Sequence, residues 1–335
     1  MSKYWPIFRG KQFELLALKE LAEKLAASSI NPVIEPVKLK TEGLQRTLKA
    51  LRNAEVPTTI IVNPEVGEFA NSSGDLLQHL EPILKEAETV HAISSGLITF
   101  ALSLDSSIGE REIKNTVSAL TDSISLEQKP FVHLILRGFT DPNLVKEILD
   151  DAGLEGGAEM VILVEDPPTR KYYQDVFEQA TFIQITDGFE KRKNADYAKR
   201  PTEFFHTAAL DYPEQGFGGF GDYSIVGREF SETGGPAWAV AIHLTFTASS
   251  PVYAMYVRHF VSDDNDSPSF PAEKYLQALD KLVADVSAPN SNIQKTSAVQ
   301  EFVRLHENGH FPGLGYVKKL SMIHHMEVMV KILDV

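Results

Sequence analysis

The chain has 335 residues, of which 43% are apolar and 23% charged, and its formal net charge is −14. This length and composition are typical of a packed globular protein with one large domain or two ordinary ones, and the negative charge disfavours non-specific binding to nucleic acids or anionic membranes. Because the sequence has no cysteine, disulfides, thiolate metal sites and a cysteine nucleophile are excluded. It contains neither an apolar signal segment nor a run of roughly 18–20 apolar residues, so we expect a cytoplasmic protein with no membrane partner.

A strand followed by a helix is predicted roughly eight times along the chain. The first strand, residues 4–8, is followed by Arg9, Lys11 and Glu14 and by a helix whose apolar residues recur every three or four positions. The other predicted strands are rich in apolar and β-branched residues and span 30–37, 58–64, 97–104, 131–137, 160–166, 181–187 and 220–226. The predicted helices between them span 42–53, 74–88, 110–123 and 171–179, with one more that follows Asp141 as its N-cap.

The character of these strands predicts an α/β fold. Continuous apolar and β-branched runs are typical of parallel strands that are buried on both faces. Their alternation with helices of about a dozen residues favours right-handed βαβ units, and eight such units favour a closed (β/α)8 TIM-like barrel. An open doubly wound α/β sheet is the alternative, although no Gly-x-Gly-x-x-Gly follows the first strand as its nucleotide-binding version requires.

The pattern changes after the eighth predicted strand. Residues 238–246 and 252–257 are predicted to form an antiparallel β-hairpin with its turn at 248–251, and the acidic residues 262–271 an exposed loop. The predicted helices of the C-terminal part span 271–286, 297–306 and 315–333.

We predict that residues 1–335 form a single barrel domain. In this interpretation residues 228–270 are a hairpin and loop elaboration, and residues 271–335 are helices packed on the barrel.

The C-terminal ends of the barrel strands predict the site, because side chains there converge on the face where barrel enzymes hold their chemistry. The polar residues at these ends are Arg9, Lys11, Glu35, Asn63, Asp105, Arg137, Glu165, Asp166, Asp187 and Asp222. This mixture of cations and carboxylates suits a charged polar ligand such as a phosphate ester. Arg9 and Arg137 would clamp phosphoryl oxygens, with Lys11 as a point charge.

The carboxylates supply the predicted catalytic set. Glu35, Asp187 and Asp222 would hold a divalent cation such as Mg²⁺ or Mn²⁺ or move protons. The predicted ligand-binding residues are Arg9, Lys11, Asn63, Arg137, Glu165 and Tyr223.

The opposing interpretation is that these charges only pair with one another to close the rim of the barrel. Glu35 lies in an apolar strand between Ile34 and Pro36, where an unpaired buried carboxylate would cost several kcal/mol. Arg9 or Arg137 is its expected partner, which supports a charged cluster but not yet catalysis.

Residues 217–224, FGGFGDYS, form the most unusual local sequence. Glycines in this segment permit a close approach of the backbone to a ligand, or they give room to a strand entering the sheet. The ligand role is the favoured interpretation, because Asp222 and Tyr223 follow immediately. No serine-hydrolase elbow, phosphate-binding P-loop or His-Glu-x-x-His zinc motif is present. His133 alternates with apolar neighbours and is predicted to be a buried core histidine.

Several short motifs together resemble the landmarks of the bacterial and phage "beta protein" family. These motifs are YWPIFRGKQFE at 4–14, PVIEP at 32–36, NP at 63–64 with Gly67, and GFGDYS at 219–224. The resemblance covers residues 3–260 and implies a cytoplasmic bacterial protein of the mobile or phage-defence gene pool, often encoded beside a small nuclease-like partner. It implies no established activity, and no catalytic residue is transferred from it.

Two functions are therefore predicted. The first is a metal-dependent hydrolase that acts on a phosphate-containing substrate, a nucleotide or a nucleic acid, at the C-terminal mouth of the barrel. The alternative is a non-catalytic barrel that senses a ligand or binds a partner in a phage-defence system. The excess of carboxylates favours the enzyme, whereas the lack of a complete catalytic motif favours the binding module.

Overall fold

The computed structural model describes residues 2–70, 73–124, 130–154, 159–232, 235, 238–248 and 254–333. The chain divides into two compact units. The first comprises Met1–Thr186 and Tyr212–Gly221, and the second comprises Asp187–Asp211 and Asp222–Val335. That residues 1–335 form a single domain stays a prediction.

Eight parallel strands form a nearly closed barrel with helices between them, which confirms the predicted (β/α)8 TIM-like fold. In their order around the sheet, the strands are β1 (Ile7–Arg9), β2 (Val33–Glu35), β3 (Thr58–Ile61), β4 (Ile98–Asp105), β5 (Val132–Arg137), β6 (Val161–Val164), β7 (Thr181–Thr186) and β9 (Gly219–Asp222). The sheet closes where Trp5 N donates to Phe220 O and Phe220 N donates to Lys3 O, both at 2.8 Å.

The glycines of the 217–224 segment serve this closure. A Cβ atom added at Gly221 would collide with the carbonyl oxygen of Trp5, and one at Gly219 would lie 2.5 Å from the carbonyl oxygen of Lys3. Of the two predicted roles for these glycines, room for an entering strand is therefore the one that the barrel uses.

Seven helices accompany the strands in the described part of the first unit. They are α1 (Gln12–Ala26), α2 (Glu42–Asn53), α3 (Ser73–Leu84), α4 (Ala87–Ser94), α5 (Glu110–Ser123), α6 (Pro142–Asp151) and α7 (Arg170–Gln174). The single helix predicted over 74–88 is wrong, because the backbone of Glu86 is extended and separates α3 from α4. The predicted cap of α6 is confirmed, since the Asp141 carboxylate accepts a 3.1 Å hydrogen bond from Leu144 N.

Two hydrogen bonds link polar side chains of the barrel interior to neighbouring strands. Thr59 and Thr99 share a 2.9 Å hydroxyl–hydroxyl hydrogen bond. His133 is buried, as predicted; its Nδ1 accepts from Val161 N at 3.1 Å, and burial lowers its pKa to about 4.

The second unit contains an antiparallel sheet in the order β10 (Ala241–Thr247), β11 (Met255–Val261), β8 (Thr202–His206). The predicted hairpin is confirmed in β10 and β11, while most of its predicted turn at 248–251 lies outside the described residues. The predicted eighth barrel strand, 220–226, ends at Asp222, and Ser224–Val226 is a 3-10 turn.

Four helices complete the described part of this unit: α8 (Ala208–Asp211), α9 (Pro271–Ser287), α10 (Ser297–Glu307) and α11 (Leu314–Leu333). The last three confirm the helices predicted after the hairpin. Helix α11 is buried along most of its length and includes the polar residues His324, His325 and Glu327. In the part of the chain that the structure describes, no helix combines the length and apolar character needed to cross a bilayer.

Candidate functional site

The mouth of the barrel holds a cluster of five charged side chains: Arg9, Glu35, Glu65, Arg137 and Glu165. We refer to it below as the mouth cluster. Arg9, Glu35 and Arg137 are the last residues of β1, β2 and β5, and Glu165 directly follows β6. The parallel register sets Arg9 opposite Glu35. The predicted convergence of these four strand-end residues is therefore observed.

Glu35 is the most deeply buried member, with none of its side chain exposed. Its Oε2 forms an ion pair with Arg9 Nη1, and Arg137 Nη2 lies 3.9 Å from the same oxygen. Its Oε1 accepts a 3.0 Å hydrogen bond from Glu65 N. The prediction that Arg9 or Arg137 pairs with Glu35 is confirmed, and both do so.

Arg137 connects the remaining members of the mouth cluster. Its Nε and Nη2 each lie 2.9 Å from Glu165 Oε1, and its Nη1 lies 3.0 Å both from Glu65 Oε1 and from the hydroxyl of Ser103. The Ser103 hydroxyl in turn donates to Glu65 Oε1. A phosphate would thus meet a guanidinium whose nitrogens already contact carboxylates.

Glu65 is the functional candidate that the sequence analysis missed. Its side chain is 27% exposed, compared with 0% for Glu35 and 3% for Glu165, so it is the member of the three that solvent reaches. It lies in the loop after β3, directly behind the predicted residues Asn63 and Pro64. The rule that side chains at the C-terminal ends of barrel strands converge would have included Glu65 if it had been applied to more than the first polar residue after each strand.

The Asn63 side-chain amide is hydrogen-bonded to the backbone of Ser103. Its Nδ2 donates to Ser103 O at 2.7 Å and its Oδ1 accepts from Ser103 N at 2.8 Å. These two bonds continue the pairing between β3 and β4 beyond the end of β3. Asn63 therefore positions Ser103, which in turn contacts Arg137.

Three other predicted strand-end residues have local roles. Asp105 Oδ1 accepts from Ser107 N at 2.6 Å, and Asp166 Oδ2 accepts from the Thr169 hydroxyl at 2.5 Å, so both carboxylates stabilise turns. Lys11 is half-buried and is the N-cap residue of α1.

Asp187, Asp222 and Tyr223 belong to the second unit. Asp187 is exposed, and its two carboxylate oxygens accept from Phe189 N at 3.3 Å and from Arg228 N at 3.0 Å. Tyr223 is buried.

Asp222 is fully buried and its carboxylate is surrounded by donors. His206 Nε2 lies 2.9 Å and His325 Nε2 lies 3.3 Å from its Oδ2, while its Oδ1 accepts from Ser224 N at 2.7 Å. Burial by itself would raise the pKa of Asp222, but His325 and His206 outweigh this effect and hold the pKa well below its usual range. Asp222 is thus an ionised carboxylate with both oxygens occupied. No motif or strand-end position in the sequence pointed to His206.

Neither unit contains, among its described residues, a group of three or more histidine, aspartate or glutamate side chains that could hold a metal ion. A cleft of about 800 Å³ lies at the N-terminal end of β3 and β4, where its lining includes Arg52, His91 and Leu97. In barrels of this type the N-terminal face contributes to stability and the C-terminal face to function. The mouth cluster therefore remains the candidate site of the barrel.

Comparison of the sequence with models of known protein families and with curated proteins gives no match. The resemblance to the beta protein family accordingly stays a prediction.

Proposed function

We propose that the barrel is a ligand-binding module whose mouth receives a positively charged group, an amine or a guanidinium, at Glu65. The observation that carries this proposal is the charge balance of the mouth cluster. Two guanidinium groups face three carboxylates, and the carboxylate that solvent reaches is Glu65. A cationic ligand would neutralise this excess, whereas an anion would add to it.

The packing around Glu65 supports the same proposal. The carboxylates of Glu35 and Glu165 are almost completely buried and each contacts Arg137, so they form a fixed base beneath the opening. Glu65 is anchored by its backbone N on Glu35 and by its Oε1 on Ser103 and Arg137. A preorganised carboxylate of this kind loses little conformational entropy when it binds a ligand cation.

The test compares Glu65→Gln with Glu68→Gln. Glu68 lies in the same loop and pairs with Lys38 at 3.1 Å, outside the mouth cluster. We expect agmatine and putrescine to raise the melting temperature of the unsubstituted protein and of Glu68→Gln, because a ligand that binds only the folded state stabilises it. Glu65→Gln should lose most of this increase. Equal responses of the two variants, or no response of any protein, would contradict the proposal.

Hydrolysis of a phosphate-containing substrate is the second candidate, and the position of Arg137 Nη1 favours it. This nitrogen contacts Glu65 Oε1 at 3.0 Å, at the partly exposed side of the mouth cluster. If the loop carrying Glu65 moved, a phosphoryl oxygen would take the place of the carboxylate oxygen. Glu65→Gln should then bind inorganic phosphate more tightly than the unsubstituted protein does. Under the first candidate the same substitution instead weakens the binding of the cationic ligand. Turnover of p-nitrophenyl phosphate with Mg²⁺ or Mn²⁺ would be the direct evidence for catalysis.

The role in phage defence and the small nuclease-like partner come from the family resemblance and stay predictions. Copurification of the chain with a neighbouring gene product tests them, and a chain that stays alone at micromolar concentration contradicts them.

A further inference from the structure

Two histidines of the second unit face each other within its antiparallel sheet. His243 on β10 lies directly opposite His259 on β11 in the register of the two strands. Because His259 N donates to Pro201 O, on the side away from β10, this is a non-hydrogen-bonded pair, the kind in which side chains approach most closely. The two Nδ1 atoms are 2.7 Å apart, which is hydrogen-bond distance.

This distance limits the charge that the two rings can carry. A hydrogen bond between two imidazole nitrogens contains one hydrogen, so one Nδ1 donates and the other is bare. A ring with a bare nitrogen is neutral, and the pair therefore carries at most one positive charge while the nitrogens remain in contact. A second charge would set two N–H groups against each other, so the rings would have to separate.

The carboxylate of Glu203 on β8 contacts His259 at its other nitrogen. Its Oε2 lies 3.2 Å from His259 Nε2 and 2.5 Å from Arg192 Nη1. The other charged groups around this carboxylate are Glu190, which pairs with Arg192, and Arg200. Burial by itself would raise the pKa of Glu203, but Arg192 and His259 outweigh this effect and hold the pKa below its usual value. The ionised carboxylate only accepts hydrogen bonds, so His259 Nε2 carries a hydrogen and ties the ring to β8.

Two further titratable groups act on the pair, Lys318 on α11 and Tyr197. Burial, the charge of His259 and the charge of Lys318 together lower the pKa of His243 well below its ordinary value. Burial also lowers the pKa of His259, although Glu203 offsets part of this effect. Burial raises the pKa of Tyr197, so its phenol stays neutral. A second positive charge on the pair is therefore disfavoured in the folded unit at neutral pH.

The 187–199 segment, which follows β7 in the chain, packs its aromatic side chains on the two histidine rings. The ring of Phe189 meets that of His243 edge to face, with 5.0 Å between the centroids. Tyr197 contacts both rings, with centroid distances of 4.7 Å to His243 and 4.5 Å to His259. The two histidines therefore form part of the surface that holds this segment.

We propose that the His243–His259 pair is a pH-sensitive clamp for the 187–199 segment. At neutral pH the shared hydrogen holds the two rings together beneath the aromatic side chains of the segment. A second positive charge breaks this contact, and the backbone cannot accommodate the separation because β10 and β11 are paired over seven residues. His243 is the ring that leaves, since it is half-buried, whereas His259 is 5% exposed and bound to Glu203. The segment then loses its packing surface and detaches. This clamp does not depend on the function proposed for the barrel.

The direction and size of the pH effect follow from proton counting. The folded-state pKa values are lowered, so the stabilisation by the clamp is complete above about pH 6.5 and is lost as the pH falls. Because opening takes up one more proton than the closed pair holds, the opening equilibrium constant should rise about tenfold for each pH unit below this value.

Hydrogen–deuterium exchange measures the opening. After correction for the intrinsic pH dependence of exchange, protection of the 187–199 segment should decrease about tenfold per pH unit between about pH 6.5 and 5. Helix α11, which is buried along most of its length, should keep its protection over the same range. No decrease in the segment would overturn the proposal. An equal decrease in α11 would also overturn it, because the whole unit would then be unfolding.

His243→Phe is the informative variant, because it keeps an aromatic ring for packing but cannot take up a proton. We expect protection of its 187–199 segment to change less than about twofold between the same pH values. His310→Phe removes an exposed histidine of the same unit and is the control, which should respond as the unsubstituted protein does. A decrease in His243→Phe equal to that of the control would contradict the clamp.

The hydrogen bond itself can be tested in the unsubstituted protein, without reliance on any variant. Nuclear magnetic resonance of protein with ¹⁵N-labelled histidine should show, at pH 7.5, a scalar coupling between the two Nδ1 nuclei across the hydrogen bond. This coupling should disappear over the pH range in which the 187–199 segment opens. The proposal fails if no coupling is found at pH 7.5, or if the coupling persists after the segment has opened.

Discussion

Removal of Arg137 is the sharpest test of the mouth cluster. Arg137→Met keeps most of the side-chain volume but takes away the guanidinium that contacts Glu35, Glu65 and Glu165. Glu65 can regain water because it is 27% exposed, whereas the other two carboxylates are almost completely buried. The cost therefore arises mainly at Glu165 and Glu35.

The expected loss of unfolding free energy is about 3–5 kcal/mol, the range for breaking a buried ion pair from one side. For a unit of this size that corresponds to a decrease in melting temperature of about 6–20 °C. Arg137→Met combined with Glu165→Gln should be more stable than Arg137→Met alone, because the double variant no longer buries the second charge. Burial raises the pKa of a carboxylate that has lost its cation, so such a carboxylate takes up a proton in mild acid. The difference in unfolding free energy between Arg137→Met and the unsubstituted protein should therefore become smaller at mildly acidic pH.

The assay is urea unfolding followed by tryptophan fluorescence in a Trp238→Phe background. The chain has two tryptophans, so this background leaves Trp5, which is 2% exposed and packs 5.7 Å from the ring of His133 in the barrel. Lys114→Met is the control, because Lys114 pairs with Glu110 on the solvent-exposed surface of α5 and should leave the midpoint unchanged. The reasoning would be refuted if Arg137→Met lowered the urea midpoint no more than the control does. It would also be refuted if the double variant were no more stable than Arg137→Met alone.

Two further predictions concern the barrel closure and the buried histidines. Gly221→Ala should prevent normal closure and reduce the yield of folded protein, because the added methyl group collides with the Trp5 carbonyl oxygen; a circular-dichroism melting curve like that of the unsubstituted protein would contradict this. Burial lowers the pKa values of His133 and His324 to about 4, so both stay neutral in the folded chain while the unfolded chain takes up protons below pH 6.5. The associated stability is complete above about pH 6.5 and is lost towards pH 4, by about 3 kcal/mol for each residue. Urea midpoints measured at pH 7.5, 5.5 and 4.5 should therefore fall, less steeply in His133→Met; a flat profile would show that the two rings do not titrate in this way.

The fold could largely be predicted from local patterns. Strands β3 to β7 are short apolar runs between amphipathic helices, and the Asp141-Pro142 cap is visible in the sequence. Strand β8 could not be predicted in the same way, because its first three residues are exposed or half-exposed and it pairs only at the edge of an antiparallel sheet. The break between α3 and α4 was also missed, since nothing in the apolar spacing marks the extended backbone at Glu86.

The candidate site was predicted in part. Arg9, Glu35, Arg137 and Glu165 follow from the rule that strand ends converge. Glu65 was not predicted, because it lies in the loop after β3 and the strand pattern does not indicate the path of that loop. The partners of Asp222 could not be predicted either, since His206 and His325 are brought to one carboxylate oxygen from β8 and α11.

The sequence by itself determined that this chain alternates apolar strands with helices and carries charges at the strand ends, because the apolar periodicity of each segment is a local property. Closure of the sheet into a barrel required the pairing of the first and last strands, which are distant in the chain. Only the tertiary structure decided which charges meet. Packing joined Arg137 to three glutamates and placed two histidines on Asp222, and the partner of a buried charge depends on side chains that are distant in the chain. Packing also gave the Nδ1 atoms of His325 and His324 the hydroxyls of Thr245 and Thr296 as hydrogen-bond partners, from residues that are distant in the chain.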